Sequence, residues 1–569
     1  MIGYLFQRNF FTNDIVKLIF LAAVVGIVSA FLALAFRYLL FFFQNLFFYQ
    51  DISGVEVSMI NHDLGIWVIL VPAIGGIFVG LITKYIAGEA KGHGVPEVME
   101  SIAVHGGKMR PKIVLFKALA SALSIGSGGS VGREGPIIQV SSGAGSTIGQ
   151  LLKLDSDQRK VLVGCGAAGG IAATFNTPVA GIIFALEIIL LELKSRSFIS
   201  LVIATFFATT VSRIFLGDHS AFDVPDYSFV SLYEIIFYLL LGILAGFTAI
   251  LLIRLVYNTE HFFENRIHII PDFLKPALGG FMVGIIGYFL PQVFGYGYGT
   301  ISNLLNEEIV LGTIVLLFVF KIIAFVLTLG SGASGGIFSP SLFIGAALGA
   351  AFGWVINAPY PEITAPVGAY ALVGMAAVFA AVSRATFTAI IIIFEMTLNY
   401  NIILPLMFCC VIADLIAWSF SPDTIYTKKL RMRGIKLSQD LEANILDTLK
   451  VGDVMSLTYG TSEEEKVKEL YQKFVEGNYN STCITDYNRK LKGIISLKDI
   501  TRIPFEERDN PVGKYVYEPY AVTYTEETLS DALYKMSSHN VEFLPVINNL
   551  EDRKVVGQVT RNAIISRMH

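Results

Sequence analysis

Charge is distributed very unevenly along this chain of 569 residues, and that distribution limits what the chain can fold into. Residues 1–430 contain 48 Asp, Glu, Lys and Arg side chains, about 11%, whereas residues 431–569 contain 40, about 29%. The higher density is typical of a soluble domain and the lower one of a membrane protein. Apolar runs in the first part exceed the roughly 20 residues that a spanning helix needs. We therefore predict an all-α, polytopic membrane domain followed by a soluble tail.

The boundaries of these parts follow from the apolar runs and from the basic residues beside them. The first long apolar run, near Ile15–Leu40, begins too late and extends too far for a cleaved signal peptide. The basic sequence Lys428–Arg433 adjoins the last apolar run and predicts a cytoplasmic tail. We expect an integral, multi-pass protein of the cell inner membrane. The predicted parts are a membrane domain, 1–430, a linker, 431–447, and two tail units, 448–505 and 512–569.

Composition disfavours several classes of function. The net charge of −4 argues against nucleic-acid binding, which needs a basic face. The four cysteines have no CxxC or repeated spacing, so the sequence predicts neither a disulfide framework nor a metal site. A nucleophile–base grouping is also not apparent in the sequence, which disfavours an enzyme.

The membrane domain contains an internal repeat that is visible in two glycine-rich segments. Gly126–Pro136 reads GSGGSVGREGP and Gly330–Pro340 reads GSGASGGIFSP, so six of eleven positions match at an offset of 204. A shorter LVG match relates residues 162–164 to 372–374 at an offset of 210. The membrane domain is therefore predicted to consist of two copies of one unit.

The two copies cover about residues 14–215 and 232–430, and Glu187 matches Glu395 near the end of each copy, at an offset of 208. Helices broken by Gly and Pro at corresponding positions of two halves are typical of transporters with a site near the membrane midplane. Such halves are commonly inverted, which lets both glycine-rich loops converge on one site. We predict two inverted repeats.

Each glycine-rich break opens a helix, and helix N-termini suit an anion. Free N–H groups and the positive end of the helix dipole lie there, and glycine lets the backbone approach a ligand. Glu134 stands at one such start, and a carboxylate within a membrane is costly enough to suggest function. It can act as a gate that competes with the anion, or carry a proton when neutral. Alternatively it caps its helix and pairs with Arg133.

Three loops resemble the signature loops of the CLC chloride channel and transporter family, in the family's order. They are GHGVPE at Gly92–Glu97, GREGP at Gly132–Pro136 and GIFSP at Gly336–Pro340. The resemblance extends over nearly the whole chain, including the tail. It implies two inverted halves of tilted helices, a homodimer, and a separate anion path in each subunit.

The resemblance also implies roles for single residues. Glu134 corresponds to the external gating glutamate, which occupies an anion site and exchanges a proton. The backbone N–H groups of Ile337 and Phe338, and the hydroxyl of Tyr426, correspond to contacts of the central anion. Without the family, Tyr426 reads as an anchor at the membrane surface. The anion-binding residues predicted in this way are His93, Gly94, Arg133, Gly135, Ile337, Phe338 and Tyr426.

His93 is the first departure from the family pattern. The family's first loop often reads GSGIP, with a serine hydroxyl touching the central anion, and His93 takes that place. An imidazole can donate a hydrogen bond to the anion, or point away and leave the backbone to bind it. Both interpretations stay open. Since the serine is linked with chloride preference in the family, chloride is the expected ion and other small anions are alternatives.

Ile188 is the second departure. Proton-coupled members commonly carry two adjacent glutamates, of which the second transfers protons on the inner side. Here Glu187 fills the first position and Ile188 the second, as an apolar residue does in channel members. Proton coupling must then use another group, such as Glu192 or water, or be absent. For Glu192 we favour a position at the cytoplasmic helix end, and for Glu187 bonds to backbone or neighbouring helices.

The tail resembles a tandem pair of CBS domains, with α/β units that repeat GIISLKDI as GQVTRNAI. In that family a Ser or Thr hydroxyl meets the phosphate of an adenine nucleotide, and an Asp three residues later holds the ribose. Ser496, Asp499 and Thr560 fit this pattern, but Ala563 replaces the second Asp. An adenine nucleotide is therefore the one cofactor considered, and a nucleotide-free scaffold for dimerisation is the alternative.

Together these resemblances imply transmembrane transport of chloride or another small anion. Cl−/H+ exchange is favoured, because Glu134 and Tyr426 are in place and the compact loops and short tail resemble prokaryotic members. A passive, voltage- or anion-gated chloride channel is the alternative, because Ile188 cannot carry a proton. A nucleotide sensor with a membrane anchor is disfavoured, since an anchor needs no broken helices. Expected partners are anions, protons if transport is coupled, the lipid bilayer and a second copy of the chain.

Overall fold

A computed structural model of the chain divides into two compact units, Met1–Met432, here the membrane unit, and Arg433–His569, here the tail. Most of the predicted linker 431–447, and Glu192, lie outside the residues that the structure describes. The described residues are 14–49, 64–191, 195–218, 222, 224, 225, 227, 230–267, 269–435, 446, 449–457, 460–477, 480–518, 521–539, 541–548 and 552–566.

The membrane unit is built from apolar helices joined by short turns. Proline stands in the first turn of several of them, where its missing N–H leaves no intrahelical bond unmade. The helices are α1 Asp14–Phe48, α2 Val71–Leu81, α3 Val95–Ala103, α4 Lys112–Gly126, α5 Glu134–Leu151, α6 Ser156–Phe175, α7 Pro178–Phe184, α8 Ser195–Leu216, α9 Glu234–Asn265, α10 Lys275–Phe289, α11 Tyr298–Leu305, α12 Leu311–Gly330, α13 Phe338–Asn357, α14 Val367–Ser383, α15 Thr386–Thr397, α16 Ile403–Phe420 and α17 Thr427–Met432.

Within the described residues, seven helical runs are long and apolar enough to cross a membrane. Other apolar helices are shorter, including α14, α15 and the run Pro178–Leu190 that contains α7. Long and short helices together agree with the predicted all-α membrane domain. The seven long runs are Val16–Phe48, Gly65–Ile86, Ser197–Leu216, Glu234–Asn265, Leu311–Gly330, Phe338–Asn357 and Tyr400–Phe420.

The two copies of the repeat meet through a reciprocal pair of backbone hydrogen bonds. Gly132 N donates to Gly336 O over 2.7 Å, and Gly336 N donates to Gly132 O over 2.6 Å. The pairing is antiparallel, and its two residues are 204 positions apart, the offset found in the sequence. When a residue exchanges identical bonds with its own counterpart, the two copies are related by a local two-fold axis.

The packing of α2 against α10 shows that the second copy is inverted. A Cβ atom on Gly76 would approach Pro276 O to 2.5 Å, and one on Gly280 would approach Pro72 O to 2.3 Å. Each contact is the counterpart of the other at the offset of 204. Since later residues of α2 meet earlier residues of α10, the two equivalent helices are antiparallel. The prediction of inverted repeats is confirmed.

The final part of the repeat has a different register from the one predicted. A Cβ atom on Gly166 in α6 would lie 2.2 Å from Ser141 O, and one on Gly374 in α14 would lie 2.5 Å from Gly345 O. Because Ser141 and Gly345 are equivalent, Gly166 and Gly374 are equivalent too, at an offset of 208. The LVG match at 210 was wrong. Both helices are so rich in small apolar residues that short identities recur out of register.

Glu187 and Glu395 exchange helix caps between the two copies. The Glu395 carboxylate accepts a hydrogen bond of 2.7 Å from the N–H of Ala180, in the first turn of α7. The Glu187 carboxylate accepts from the N–H and the hydroxyl of Thr388, in the first turn of α15, at 2.8 and 2.7 Å. A negative charge is favourable at a helix N-terminus. The expectation that these glutamates bond to neighbouring helices is confirmed.

The tail contains two small sheets flanked by helices, as the sequence predicts for an α/β pair. The first sheet has the order β2-β3-β4 and the second β1-β7-β6-β5. Pairs β2–β3 and β5–β6 are parallel, and the other pairs are antiparallel. The elements are β1 Ser456–Leu457, β2 Thr461–Ser462, α18 Val467–Gly477, β3 Ser481–Thr485, β4 Leu491–Ser496, α19 Leu497–Arg502, β5 Thr523–Tyr524, α20 Leu529–Ser538, β6 Phe543–Ile547, β7 Val555–Thr560 and α21 Arg561–Ile565.

The two halves of the tail exchange their leading segments. Val451, at the start of the first half, is buried in the core of the second half and donates its N–H to Glu527 O at 2.8 Å. Val512, at the start of the second half, is buried in the core of the first half and donates its N–H to Glu465 O at 2.8 Å. Each core is therefore completed by a short segment from the other half.

Removing either exchanged cap should destabilise the membrane unit. Glu187→Ala or Glu395→Ala leaves N–H groups of the opposite copy without their acceptor, a cost of about 2 kcal/mol. We expect the apparent unfolding temperature of the detergent-purified protein to fall by a few degrees in each variant. Glu362→Ala, which alters an exposed carboxylate in a turn, is the control and should leave that temperature unchanged. Equal temperatures for all three variants would show that the caps do not stabilise the fold.

Candidate anion-binding site

The three signature loops are hydrogen-bonded to one another in the middle of the membrane unit. Gly92 N donates to Ala333 O over 3.1 Å, and Gly335 N donates to Gly92 O over 3.2 Å. This joins the first loop to the third, while Gly132 and Gly336 join the second loop to the third. The first and second loops are residues 92–96 and 132–136, and the third loop, 333–340, extends the signature sequence Gly336–Pro340 back to Ala333.

The loops approach so closely that glycine is required where they touch. Gly94 has a φ of +90°, and a Cβ atom there would lie 2.8 Å from Gly135 O. A Cβ atom on Gly135 would lie 2.1 Å from His93 O. Three residues predicted from the resemblance, His93, Gly94 and Gly135, are therefore in direct contact through their backbones.

The third loop leads into α13, whose N-terminus is occupied by a carboxylate. Ile337 immediately precedes this helix and Phe338 is its first residue. The first N–H groups of a helix have no partner inside it and carry the positive end of the helix dipole. Glu134 Oε2 accepts a hydrogen bond of 3.3 Å from Ser339 N. An anion-like group thus lies at the helix start that the resemblance assigns to the transported anion.

Two hydroxyl groups also bind the Glu134 carboxylate, which is 1% exposed. Tyr298 Oη donates to Oε1 at 2.8 Å, and Ser339 Oγ donates to the same oxygen. Both donors belong to the second copy of the repeat, in α11 and α13. Glu134 therefore reaches across to the other copy instead of capping its own helix α5, as the alternative interpretation had it.

Arg133 lies among aromatic rings. Its guanidinium carbon is 5.1 Å from the ring centroids of both Tyr296 and Tyr298, and 5.8 Å from that of Phe175. Such distances fit cation–π attraction, which strengthens away from water. Arg133 thus places a positive charge beside Glu134 in the chain and fixes the ring whose hydroxyl binds Glu134.

The rings of His93, in the first loop, and Tyr426, just before α17, are in contact. Their ring centroids are 6.0 Å apart. Tyr257 connects the two segments: its hydroxyl oxygen is 3.5 Å from His93 Nε2, and it donates a hydrogen bond to Ile425 O. Tyr426 is 2% exposed, which does not fit the alternative of an anchor at the membrane surface.

Two buried lysines donate hydrogen bonds to backbone carbonyl groups in and next to the loops. Lys117 Nζ donates to Ala90 O and Gly92 O at 3.0 and 2.8 Å, and both lysine side chains are fully buried. Lys321 Nζ donates to Gly295 O at 2.9 Å and also to Val293 O. Lys117 and Lys321 match at the offset of 204, and each binds the first glycine of a Gly-x-Gly segment. Residues 295–299 therefore form a fourth loop equivalent to the first.

Tyr298, Ser339 and Tyr257 were missed by the sequence-based predictions. The signal for Tyr298 was present in the sequence, because the fourth loop GYGYG repeats the Gly-x-Gly spacing of the first loop at an offset of 203. Gly92 and Gly295 both have a positive φ. Ser339 lies within the third loop and was passed over, whereas the sequence contains no signal for Tyr257.

Ile188 is buried in a π-helical turn, Ala185–Leu190, and Glu187 in the same turn caps α15. The turn therefore holds a buried apolar side chain at the position where the resemblance predicts a second glutamate for proton coupling. Glu192, the substitute considered from the sequence, lies outside the described residues.

The predicted nucleotide-binding residues of the tail cap short helices. Ser496 Oγ and Asp499 form a reciprocal cap on α19, and Asp499 Oδ2 also accepts 3.1 Å from Tyr517 Oη. Burial of this carboxyl opposes ionisation, but the donors on Ser496 and Tyr517 outweigh it and hold the pKa of Asp499 below its ordinary value. Thr560 Oγ1 accepts 3.2 Å from Ala563 N and caps α21.

Comparison with known proteins gives matches to both units. A family model described as a voltage gated chloride channel matches residues 75–418, and the CBS domain model matches 451–506 and 512–569. A putative chloride channel protein, ClcB-like, from Ralstonia nicotianae is 33% identical over 417 residues, which are 72% of this chain and 96% of the relative. The H(+)/Cl(−) exchange transporter ClcA from Vibrio campbellii is 30% identical over 451 residues, covering 75% of this chain and 92% of the relative.

Solved structures agree with these relatives. A slow cyanobacterial Cl−/H+ antiporter superposes with a TM-score of 0.65 at 26% identity, covering 73% of this chain and 98% of that one. A eukaryotic CLC transporter gives the same TM-score at 19% identity over 96% of this chain and 98% of that one, which supports the fold alone. With its inverted copies, its three meeting loops and a family match over most of the membrane unit, the chain belongs to the voltage-gated chloride channel family, the CLC anion transport proteins.

Proposed function

We propose that this chain exchanges chloride for protons across a membrane, with Glu134 as the group that both gates the anion path and accepts the proton. The observation that carries this proposal is the Glu134 carboxylate at the N-terminus of α13. A carboxylate can replace an anion at such a site and can also take up a proton.

The proposed cycle uses the two protonation states of Glu134. While ionised, the carboxylate occupies the helix N-terminus and excludes the anion. When protonated, it loses its charge and therefore most of its attraction to the helix dipole, so chloride takes its place. Ile337 and Phe338 would then offer their N–H groups, and Tyr426 its hydroxyl, to the bound anion. Because carboxylate and anion compete for one position, uptake of a proton and entry of chloride are linked.

Relatives support exchange, and one residue supports the alternative. Curated relatives named H(+)/Cl(−) exchange transporters cover three quarters of the chain at 30–32% identity. Ile188 favours a passive channel, because an apolar side chain cannot pass a proton towards Glu134 from the inner side. Exchange in this chain would need a proton route around Ile188, through water or through Glu192.

The oligomeric state, the membrane and the orientation of the tail are also part of this proposal. We propose a homodimer with one anion path in each subunit, embedded in the lipid bilayer of a cell inner membrane. The basic sequence Lys428–Arg433, most of which lies in α17, follows the last long apolar helix α16 and supports a cytoplasmic position for the tail.

A flux measurement in liposomes tests the mode of transport. We expect a chloride gradient, at clamped voltage and with no initial proton gradient, to drive protons in the direction opposite to chloride. Glu134→Gln should abolish the proton movement while chloride flux continues, because an amide can neither carry the proton nor replace the anion. Internal pH and released chloride are the measurements, and Glu362→Gln is the control.

Chloride flux without proton movement in the unaltered protein would contradict exchange and favour the channel. Ile188→Glu would then be compared with Ile188→Gln, since both add a polar group and the glutamate alone can pass a proton. Absence of chloride flux would contradict anion transport itself.

Nucleotide binding by the tail stays a prediction, with a direct test. If Ser496 and Asp499 hold an adenine nucleotide, ATP, ADP or AMP should raise the unfolding temperature of the full-length protein. Asp499→Asn should remove that increase, because the amide cannot accept both ribose hydroxyls. Asp531→Asn, in the equivalent type of cap on α20, is the matched control and should keep it. No effect of nucleotide on the unaltered protein would favour the nucleotide-free scaffold, and an equal effect on all three proteins would contradict binding at Ser496 and Asp499.

A further inference from the structure

We infer that Tyr298 and Ser339 act as a hydroxyl latch on Glu134, which holds its carboxylate in the anion position and sets the pH at which transport begins. The inference rests on the proposed function and adds to it two residues outside the predicted site. Both act on the transported anion only through Glu134, so both are positioning residues.

The latch consists of two hydroxyl groups that donate hydrogen bonds to the same oxygen of the Glu134 carboxylate. Glu134 Oε1 accepts from Tyr298 Oη at 2.8 Å and from Ser339 Oγ. The two hydroxyl oxygens are themselves 3.4 Å apart. The second carboxylate oxygen accepts from Ser339 N at 3.3 Å. Glu134 therefore receives two side-chain donors in addition to the backbone N–H that any residue at position 339 supplies.

The tyrosine ring is held in place independently of the carboxylate. The Arg133 guanidinium lies 5.1 Å from its centroid, and the rings of Tyr296 and Phe222 lie 5.0 and 5.2 Å from it. A ring packed on several sides has one orientation for its hydroxyl. The donor is thus already positioned when the carboxylate returns to the site, so it loses little conformational entropy on binding.

These donors favour the ionised form of Glu134. A hydroxyl that donates to a carboxylate stabilises the charged state, because the ionised carboxylate is a stronger acceptor than the neutral acid. Other charged or titratable groups near Glu134 are Arg133 beside it in the chain, Tyr426, and His93, whose backbone carbonyl contacts Gly135. Substituting Tyr298 or Ser339 alters none of them, so the effect of each donor can be measured separately.

The direction of the effect follows from the gate. Transport requires the protonated, released form of Glu134, so flux rises as pH falls. Without one donor, the docked anionic form is less stable and protonation occurs at higher pH. Tyr298→Phe and Ser339→Ala should therefore each move the pH of half-maximal chloride flux by about one unit towards alkaline values.

The test is chloride efflux from liposomes, measured over a series of symmetrical pH values from acidic to alkaline. The proteins compared are the unaltered chain, Tyr298→Phe, Ser339→Ala, the double variant and Glu134→Gln. Ser341→Ala is the matched control, since its hydroxyl lies in the same helical turn and donates to Ile337 O and Phe338 O. Tyr298→Phe keeps the aromatic ring, and elution as a single species checks the folding of every variant.

We expect alkaline shifts in both single variants, a larger shift in the double variant, and the unaltered midpoint in Ser341→Ala. Midpoints of Tyr298→Phe and Ser339→Ala that equal the unaltered one, or move towards acid, would overturn the latch while leaving the gate intact. If Glu134→Gln has the same pH profile as the unaltered chain, the proposed function itself fails. Should one single variant not fold, the other tests the same prediction through a different donor.

Discussion

The membrane unit depends on one contact, the pair of hydrogen bonds between Gly132 and Gly336. Both residues lie where an unmade backbone hydrogen bond would cost several kcal/mol, because water is excluded there. Each satisfies the other, and in doing so aligns the second loop with the third. The start of α5, which carries Glu134, is thereby placed against the start of α13, which receives it.

The lysines that support this arrangement show how the fold manages charge. Lys117 and Lys321 are fully buried, yet each ammonium group has two carbonyl oxygens as partners. Two of these carbonyls belong to the first and fourth loops, and the other two to Ala90 and Val293, which end the short 3-10 turns before those loops. A buried cation and an irregular loop, each unfavourable alone, compensate one another. Glu187 and Glu395 apply the same principle to helix N-termini with the opposite charge.

Much of this arrangement was predictable because the residues that match between the two copies include glycines and charged residues, which stand out in an apolar sequence. The glycine-rich segments fixed the offset of 204, and Glu134 stood out as a carboxylate in an apolar setting. The register of α14 was not predictable in the same way, since identities among small apolar residues carry little information about packing. Contacts between distant parts of the chain could not be predicted from the sequence either. Tyr257 donates a hydrogen bond to Ile425 O, 168 residues away, and its helix α9 carries no motif.

The exchange of segments in the tail has a consequence for how this protein can be divided. A cut between the two CBS modules, where the sequence suggests a natural boundary, would separate Val512 from the first core and leave Val451 without the second. Neither fragment would contain a complete hydrophobic core. The smallest piece of the tail able to fold independently is therefore the whole pair, and either module would evolve under the packing requirements of the other.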